Sequence, residues 1–232
     1  MQFLKNILAD TAHLFYPHIC NGCGSDVLAD ESLLCAKCFI NLPVTNFAAH
    51  PNNPIEKIFW GRIPLVAAHS EYYFAKSSLI QHLIHQLKYK GNTDIGHYLG
   101  QLMGKSLLES NRFNIDGLIP LPLYPDKERK RGYNQAAIIC NGIAQSMKVP
   151  VLNNYLIRQH FTETQTKKHR TERWENVAES FALKNGSFLK GKHLLLVDDV
   201  VTTGATLEAS AHNLLNIDGV KLSIATLTFA SK

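Results

Sequence analysis

The spacing of hydrophobic residues changes along the chain, and each change marks an element. Leu4, Ile7, Leu8 and Ala12 recur at helical spacing, so the N-terminus is expected to open on a short amphipathic helix. His69 to Phe74 reads as a strand, and in Lys76 to Tyr89 the residues Leu79, Ile80, Leu83, Ile84 and Leu87 share one helical face. Asp94 to Glu109 predicts a second helix, and Gly117 to Leu121 a short apolar strand that runs into a Pro-rich basic loop. Asn134 to Met147 predicts a helix and Tyr155 to Arg158 a strand. His193 to Val197 is an unbroken apolar run of the kind a fully buried strand needs. A helix over Gly204 to Asn216 and a strand over Val220 to Phe229 follow it. Strands that alternate with helices predict an α/β fold on a mainly parallel sheet flanked by helices. Ligands of such sheets sit at the carboxyl ends of strands, so the loops there are where chemistry is expected.

The chain has 232 residues, enough for one sizeable core and a small appendage. A Pro- and Asn-rich stretch, His50 to Lys57, reads as a linker between a unit over 1–50 and one over 51–232. Hydrophobic residues make up 45% and charged residues 19%, which excludes a disordered chain. No segment reaches the ~18–20 uninterrupted apolar residues of a membrane span. Lys5, Asp10 and His13 interrupt the apolar start, so neither membrane insertion nor a signal peptide is expected, and the cytoplasm is the expected compartment. The formal net charge of +5 permits a polyanionic partner without requiring one.

Four of the five cysteines form Cys20-x-x-Cys23 and Cys35-x-x-Cys38, eleven residues apart. Each pair can bind one ion from a tight turn, and two pairs complete a tetrahedron of thiolates. Four thiolates leave no open position, so a structural zinc ribbon is expected rather than a catalytic metal. Two disulfides or four idle thiols are the alternative. Cys140 stands alone in an apolar helix and reads as a small buried hydrophobe.

The segment Leu194 to Leu207 carries the most chemistry. A buried strand ends in two carboxylates, Asp198 and Asp199, and Val200-Val201-Thr202-Thr203-Gly204-Ala205-Thr206 leads into a helix. Unpaired N–H groups at a helix start attract anions. Gly204 lets the main chain approach a phosphate, and Thr202, Thr203 and Thr206 add hydroxyls. Two carboxylates about one sugar-length away can accept hydrogen bonds from vicinal hydroxyls. A phosphate cradle beside a diol acceptor describes a 5-phosphoribosyl group. A strand ending in two Asp also occurs in Walker B segments and receiver domains. The nearest approach to a P-loop is Gly104-Lys105-Ser106, where Leu99 takes the first glycine position.

This segment resembles the signature with which type I phosphoribosyltransferases bind 5-phosphoribosyl pyrophosphate (PRPP). Leu87-Lys88-Tyr89-Lys90-Gly91, Pro120-Leu121-Pro122-Leu123 and Arg131-Gly132-Tyr133-Asn134-Gln135 resemble the competence protein F (ComF-like) family in order and spacing. So does the run from Arg158 through Thr162, Gln165, Arg173 and Asn176-Val177 to Ser180-Phe181, with Lys168 departing from the family's apolar residue. The N-terminal cysteine pairs complete the pattern. The resemblance implies a type I phosphoribosyltransferase-like domain behind a zinc ribbon. It implies magnesium with PRPP as ligand. It also implies a place in DNA uptake, with single-stranded DNA and the competence machinery as partners.

Two basic stretches take roles from the same resemblance. Asp126 to Tyr133 is placed like the superfamily's pyrophosphate loop, so Arg129, Lys130 and Arg131 are expected to meet the leaving group, where cations stabilise developing negative charge. A solvated charged turn is the plainer alternative. Thr162 to Asn176 resembles the loop that closes over PRPP. Lys88 is a phosphate contact or simply a cation at a helix C-terminus. Tyr124, Tyr133 and Trp174 among the basic residues would suit stacking on single-stranded DNA. A metabolic phosphoribosyltransferase with an unidentified acceptor, and a PRPP-sensing regulator, are the competing readings.

Overall fold

The structure is a computed structural model that describes residues 19–26, 32–159 and 180–230. The expected amphipathic helix near the N-terminus and the loop over Thr162 to Asn176 lie outside these residues. In chain order the elements are α1 (Ala36–Ile40), α2 (Pro54–Phe59), β1 (Ala68–Tyr73), α3 (Leu79–Tyr89), α4 (Thr93–Glu109) and β2 (Gly117–Pro120). Then come α5 (Pro125–Arg131), α6 (Gln135–Met147), β3 (Leu156–Arg158), β4 (Phe181–Leu183), β5 (His193–Val201), α7 (Ala205–Leu215) and β6 (Lys221–Phe229).

Four strands form one sheet in the order β1-β6-β5-β2, every pair parallel. β3 and β4 make a separate antiparallel pair. The parallel sheet has helices on both faces, and each face has its own core. Leu195, Val197, Ala225 and Leu227 point to the side of α3, α4 and α6. Leu194, Leu196, Leu222 and Ile224 point to the side of α2 and α7. Alternation along β5 and β6 therefore divides one apolar run between two cores, as strands buried on both faces require.

The closest helix contact joins α4 to α6. A Cβ on Gly100 would lie 2.3 Å from the Ile139 carbonyl oxygen, and one on Gly142 2.1 Å from that of His97. Only glycine permits that approach, and Gly104 takes part in the same contact, its Cβ position 3.0 Å from Ile143 Cα. The Gly104-Lys105-Ser106 triplet thus lies within a helix, with Gly104 packed against α6.

Three sequence expectations need correction. The stretch after β2 is helical: Pro125 opens α5, and Gly132 closes it at φ +86°. β5 does not stop at Val197 but runs to Val201, because Asp198 and Val200 stay in register with Thr226 and Thr228 of β6. The Pro- and Asn-rich stretch holds α2, with Pro54 in its first turn and the Asn53 side chain accepting from the N–H groups of Ile55 and Glu56. Just before it, Val44 bridges Tyr72 of β1, and Thr45 N–H donates to the Glu71 carbonyl at 2.9 Å. Among the described residues, no helix is long and apolar enough to cross a membrane.

Candidate functional site

The acidic pair stands at the carboxyl end of β5. Thr202 and Thr203 are exposed in the turn that follows, Gly204 is the N-cap of α7, and Ala205 and Thr206 form its first turn. Gly204 is required twice over. Its φ is +74°, and a Cβ there would lie 2.7 Å from Phe59 and 2.8 Å from Ile58. Arg62 braces the turn from behind. It donates to the carbonyls of Ile58 and Thr203, each at 2.9 Å, and pairs with the buried Glu208 of α7. Glycine and arginine thus fix the turn, with Thr202 and Thr203 exposed to solvent.

The two carboxylates are unlike. Burial, and then the Asp199 charge, push Asp198 up to about 8, against the Asp199 N–H bonded to its Oδ1 and the charges of Lys88 and Arg158. That N–H lies 2.8 Å from Asp198 Oδ1. Asp199 Oδ2 instead meets Lys88 Nζ at 2.9 Å. One carboxyl of the pair thus tends to hold a proton near neutral pH, while its neighbour is paired with a lysine.

Lys88 comes from the last turn of α3, whose neighbouring residues are also engaged. Gln86 Nε2 donates to the Asn21 carbonyl at 2.7 Å, and the Leu87 carbonyl accepts from the Tyr133 hydroxyl. Tyr89 lies 5.5 Å under the Arg131 guanidinium and 4.9 Å from the His85 ring, yet is 68% exposed. The corner after α5 is tied down in the same way: Arg131 donates to Gln135, and Asn134 caps α6 while donating to the Leu121 carbonyl at 2.9 Å. Lys88 and Arg131 are therefore both drawn to one end of α3, Lys88 onto Asp199 and Arg131 onto Tyr89. Arg129 and Lys130 stand exposed on α5. Arg129 has a distant partner, Asp126 at 3.8 Å, and nothing among the described residues joins either cation to the carboxylates.

At the other end of the chain, one sulfur from each of Cys20, Cys23, Cys35 and Cys38 lies within 4.8 Å of all the others. Zn–S bonds of about 2.3 Å put tetrahedral sulfurs about 3.8 Å apart, and the Cys23 and Cys35 sulfurs are 3.7 Å apart. The Cys20 sulfur accepts from the N–H groups of Gly22 at 3.3 Å and Cys35 at 3.2 Å. Burial acts to raise the Cys20 thiol, but these donors and that of Cys23 outweigh it and bring it down to about 6. Burial and bonds from the other thiols push Cys38 up instead. A thiolate with ready N–H donors among three further sulfurs is a donor set that fits a soft tetrahedral ion such as zinc.

The matches to known proteins agree with this geometry. The family model "Phosphoribosyl transferase domain" matches residues 134–232, the stretch holding α6, β5, the turn and α7. The "DNA utilization protein YhgH" of Escherichia coli O157:H7 is 30% identical over 206 residues, covering 85% of this chain and 84% of that protein. "Competence protein F" of Haemophilus influenzae is 26% identical over 201 residues, covering 84% and 83%. The chain belongs to the competence protein F family. Among solved structures, a glutamine PRPP amidotransferase from B. subtilis matches at 18% identity and a TM-score of 0.40, over 60% of this chain and 30% of that one. With a parallel sheet, an acidic strand end and the matched family model, the fold is α/β and type I phosphoribosyltransferase-like. In this member of the competence protein F family the RGYNQ run, residues 131–135, is built into the fold: tyrosine to α3, asparagine to α6, arginine to glutamine.

Two arginines escaped the sequence reading of the site. Arg62 carried no motif, and its partners Thr203 and Glu208 lie more than 140 residues away. Arg158 stood in a family motif without a role. The structure puts its guanidinium 3.7 Å from the Tyr124 ring centroid and 4.9 Å from that of Phe181, close enough to act on Asp198. Tyr124 is thereby covered, and the Tyr133 hydroxyl is occupied, while Trp174 lies outside the described residues. Of the tyrosines near the basic residues, Tyr89 has the open ring.

Proposed function

We propose that this protein binds PRPP with magnesium at the end of β5 and serves DNA uptake, handling single-stranded DNA. The observation that carries the first half is the acidic pair followed by an exposed Thr-rich turn that Gly204 and Arg62 brace at the start of α7. In this reading Val200 and Thr202 to Thr206 hold the 5′-phosphate through N–H and hydroxyl donors. Asp198 and Asp199 receive the ribose hydroxyls, and Arg129, Lys130 and Arg131 face the pyrophosphate. Lys88 leaves Asp199 for a phosphate oxygen when the sugar takes its place.

The carboxylate oxygens are hard donors that suit magnesium, which when bound with PRPP supplies charge neutralisation at the pyrophosphate. Asp198 and Asp199 stand nearest to hold it together with the ribose. The residues' own part is positioning: two carboxylates fix the sugar, the turn fixes its phosphate, and cations meet charge that develops if pyrophosphate departs. The cysteine cluster would hold zinc as a structural ion, organising the unit over 1–50 in front of the domain over 51–232.

The DNA half is supported by the names of the relatives, a competence protein and a DNA utilization protein. It is also supported by an exposed aromatic ring, Tyr89, among the cations Lys88, Lys90 and Arg131, as a stacking groove for single strands needs. The deciding experiment is calorimetric titration of the zinc-loaded protein with PRPP, with and without magnesium, beside an Asp198→Asn, Asp199→Asn double variant. Magnesium-dependent binding that the double variant loses supports the reading. A folded wild type that binds no PRPP overturns it. An oligonucleotide titration over a range of salt tests the other half, with affinity falling steeply as salt rises if phosphates are contacted.

A further inference from the structure

A second cleft opens beside the acidic strand end without including it. It has a volume of about 630 Å³ and lies between the turn after β2, the start of α6 and the β3–β4 pair. Neither carboxylate of the acidic pair nor any residue of the turn before α7 lines it. Its walls include Leu123, Ile138, Leu156 and Ile157, so much of the surface suits a flat apolar body. Its charged lining is Arg158 and Lys184 against Glu128, an excess of one positive charge.

Arg158 has the means to read a ligand here. Its guanidinium is steadied by the Tyr124 and Phe181 rings, which fix the direction of its N–H groups. Its Nε is buried and has no acceptor among the described residues. A buried donor without an acceptor costs stability until one is supplied. A planar guanidinium that lines apolar walls matches a carboxylate borne on a flat ring, since the guanidinium fork and the carboxylate pair edge to edge.

We propose that this cleft is a second ligand site, taking a planar aromatic or heteroaromatic carboxylate with its carboxylate on Arg158 and its ring between the β2–α5 turn and β3. Lys184, at the end of β4, adds the second positive charge. Asn153 and Asn154 bring amides to the rim.

The site is independent of the PRPP reading: titration with PRPP reports on one and titration with an aromatic acid on the other. The test is ligand-observed NMR on the zinc-loaded full chain with 2-naphthoate and its neutral counterpart 2-naphthamide. The acid is expected to bind at least tenfold more tightly than the amide. Arg158→Met should erase that difference, Lys184→Met should reduce it severalfold, and Ala137→Trp, which fills the cleft from α6, should abolish binding of both. The Asp198→Asn, Asp199→Asn variant should bind naphthoate like the wild type. Equal affinity for acid and amide would overturn the proposal. So would naphthoate binding that survives Ala137→Trp, or that is lost only in the aspartate double variant. If Arg158→Met does not fold, the acid-to-amide ratio together with Ala137→Trp still decides.

Discussion

The molecule gathers groups of like charge in two places and treats them differently. Around the cysteine cluster, backbone N–H groups already point at sulfur, and the four sulfurs would close the coordination shell of a bound ion. At the end of β5, a proton on Asp198 and the Lys88 ammonium on Asp199 relieve the repulsion. A metal-bound cluster of four thiolates cannot admit a further ligand, whereas a lysine and a proton can be displaced. The lesson is that how a cluster is neutralised tells whether it is structural or available. A saturated shell stabilises the fold, and a provisional partner leaves a site.

The sharpest way to break this comparison is at the ribbon. Cys38→Ser, or prolonged chelation, should release the metal and destabilise the unit around it by an amount on the order of the ~10 kcal/mol or more that a structural zinc supplies. Zinc release assay and thermal melting would register it, and a variant that melts like the wild type would show that the cluster is idle. Next in size is the acidic pair. Asp198→Asn, Asp199→Asn should lower PRPP affinity by about a hundredfold or more, read by calorimetry, while the variant still folds.

Proton linkage separates the two clusters further. The folded pKa of Asp198 lies near 8, above its ordinary value of 3.8, so the folded state binds the extra proton between those limits. Stability of the ligand-free protein should therefore fall as pH rises from about 4 to about 8, and the fall should be complete above 8. Asp198→Asn should flatten that slope in denaturant titrations; an unchanged slope would mean the proton sits elsewhere.

Smaller effects follow in the turn and on α5. Gly204→Ala should cost about 1–3 kcal/mol, from its positive φ and its contact with Phe59 and Ile58, and should weaken binding of the 5′-phosphate. Arg129→Gln should leave the melting temperature unchanged, because the Arg129 and Asp126 side chains are 80% and 71% exposed. A drop in PRPP affinity in that folded variant would assign the arginine to pyrophosphate; none would leave it a surface charge.

Much of the frame was legible because local signals and burial agreed. The apolar run of β5, the periodic face of α3 and the cysteine spacing each predicted what the structure contains. The helix α5 was missed although Pro125 and Gly132 mark its two ends, because a dense run of charge with no apolar face reads as a loop. β4 was missed because it has three residues and its partner β3 ends more than 20 residues earlier. The fine structure of the site was illegible for a related reason. Lys88 with Asp199, Arg62 with Glu208 and Arg158 with its rings join positions far apart in sequence, and no local spacing announces such pairs.

The last turn of α3 carries one more consequence. Gln86, Leu87, Lys88 and Tyr89 reach, in turn, the cysteine knuckle, the tyrosine of the RGYNQ corner, the acidic pair and an arginine of that same corner. Successive helical residues are rotated by about 100°, so a single turn can address neighbours on several sides at once. The same geometry makes this helix intolerant of length changes. Inserting or deleting one residue upstream of Gln86 would rotate all four assignments together and carry the lysine away from its aspartate. The residue count of α3 cannot drift.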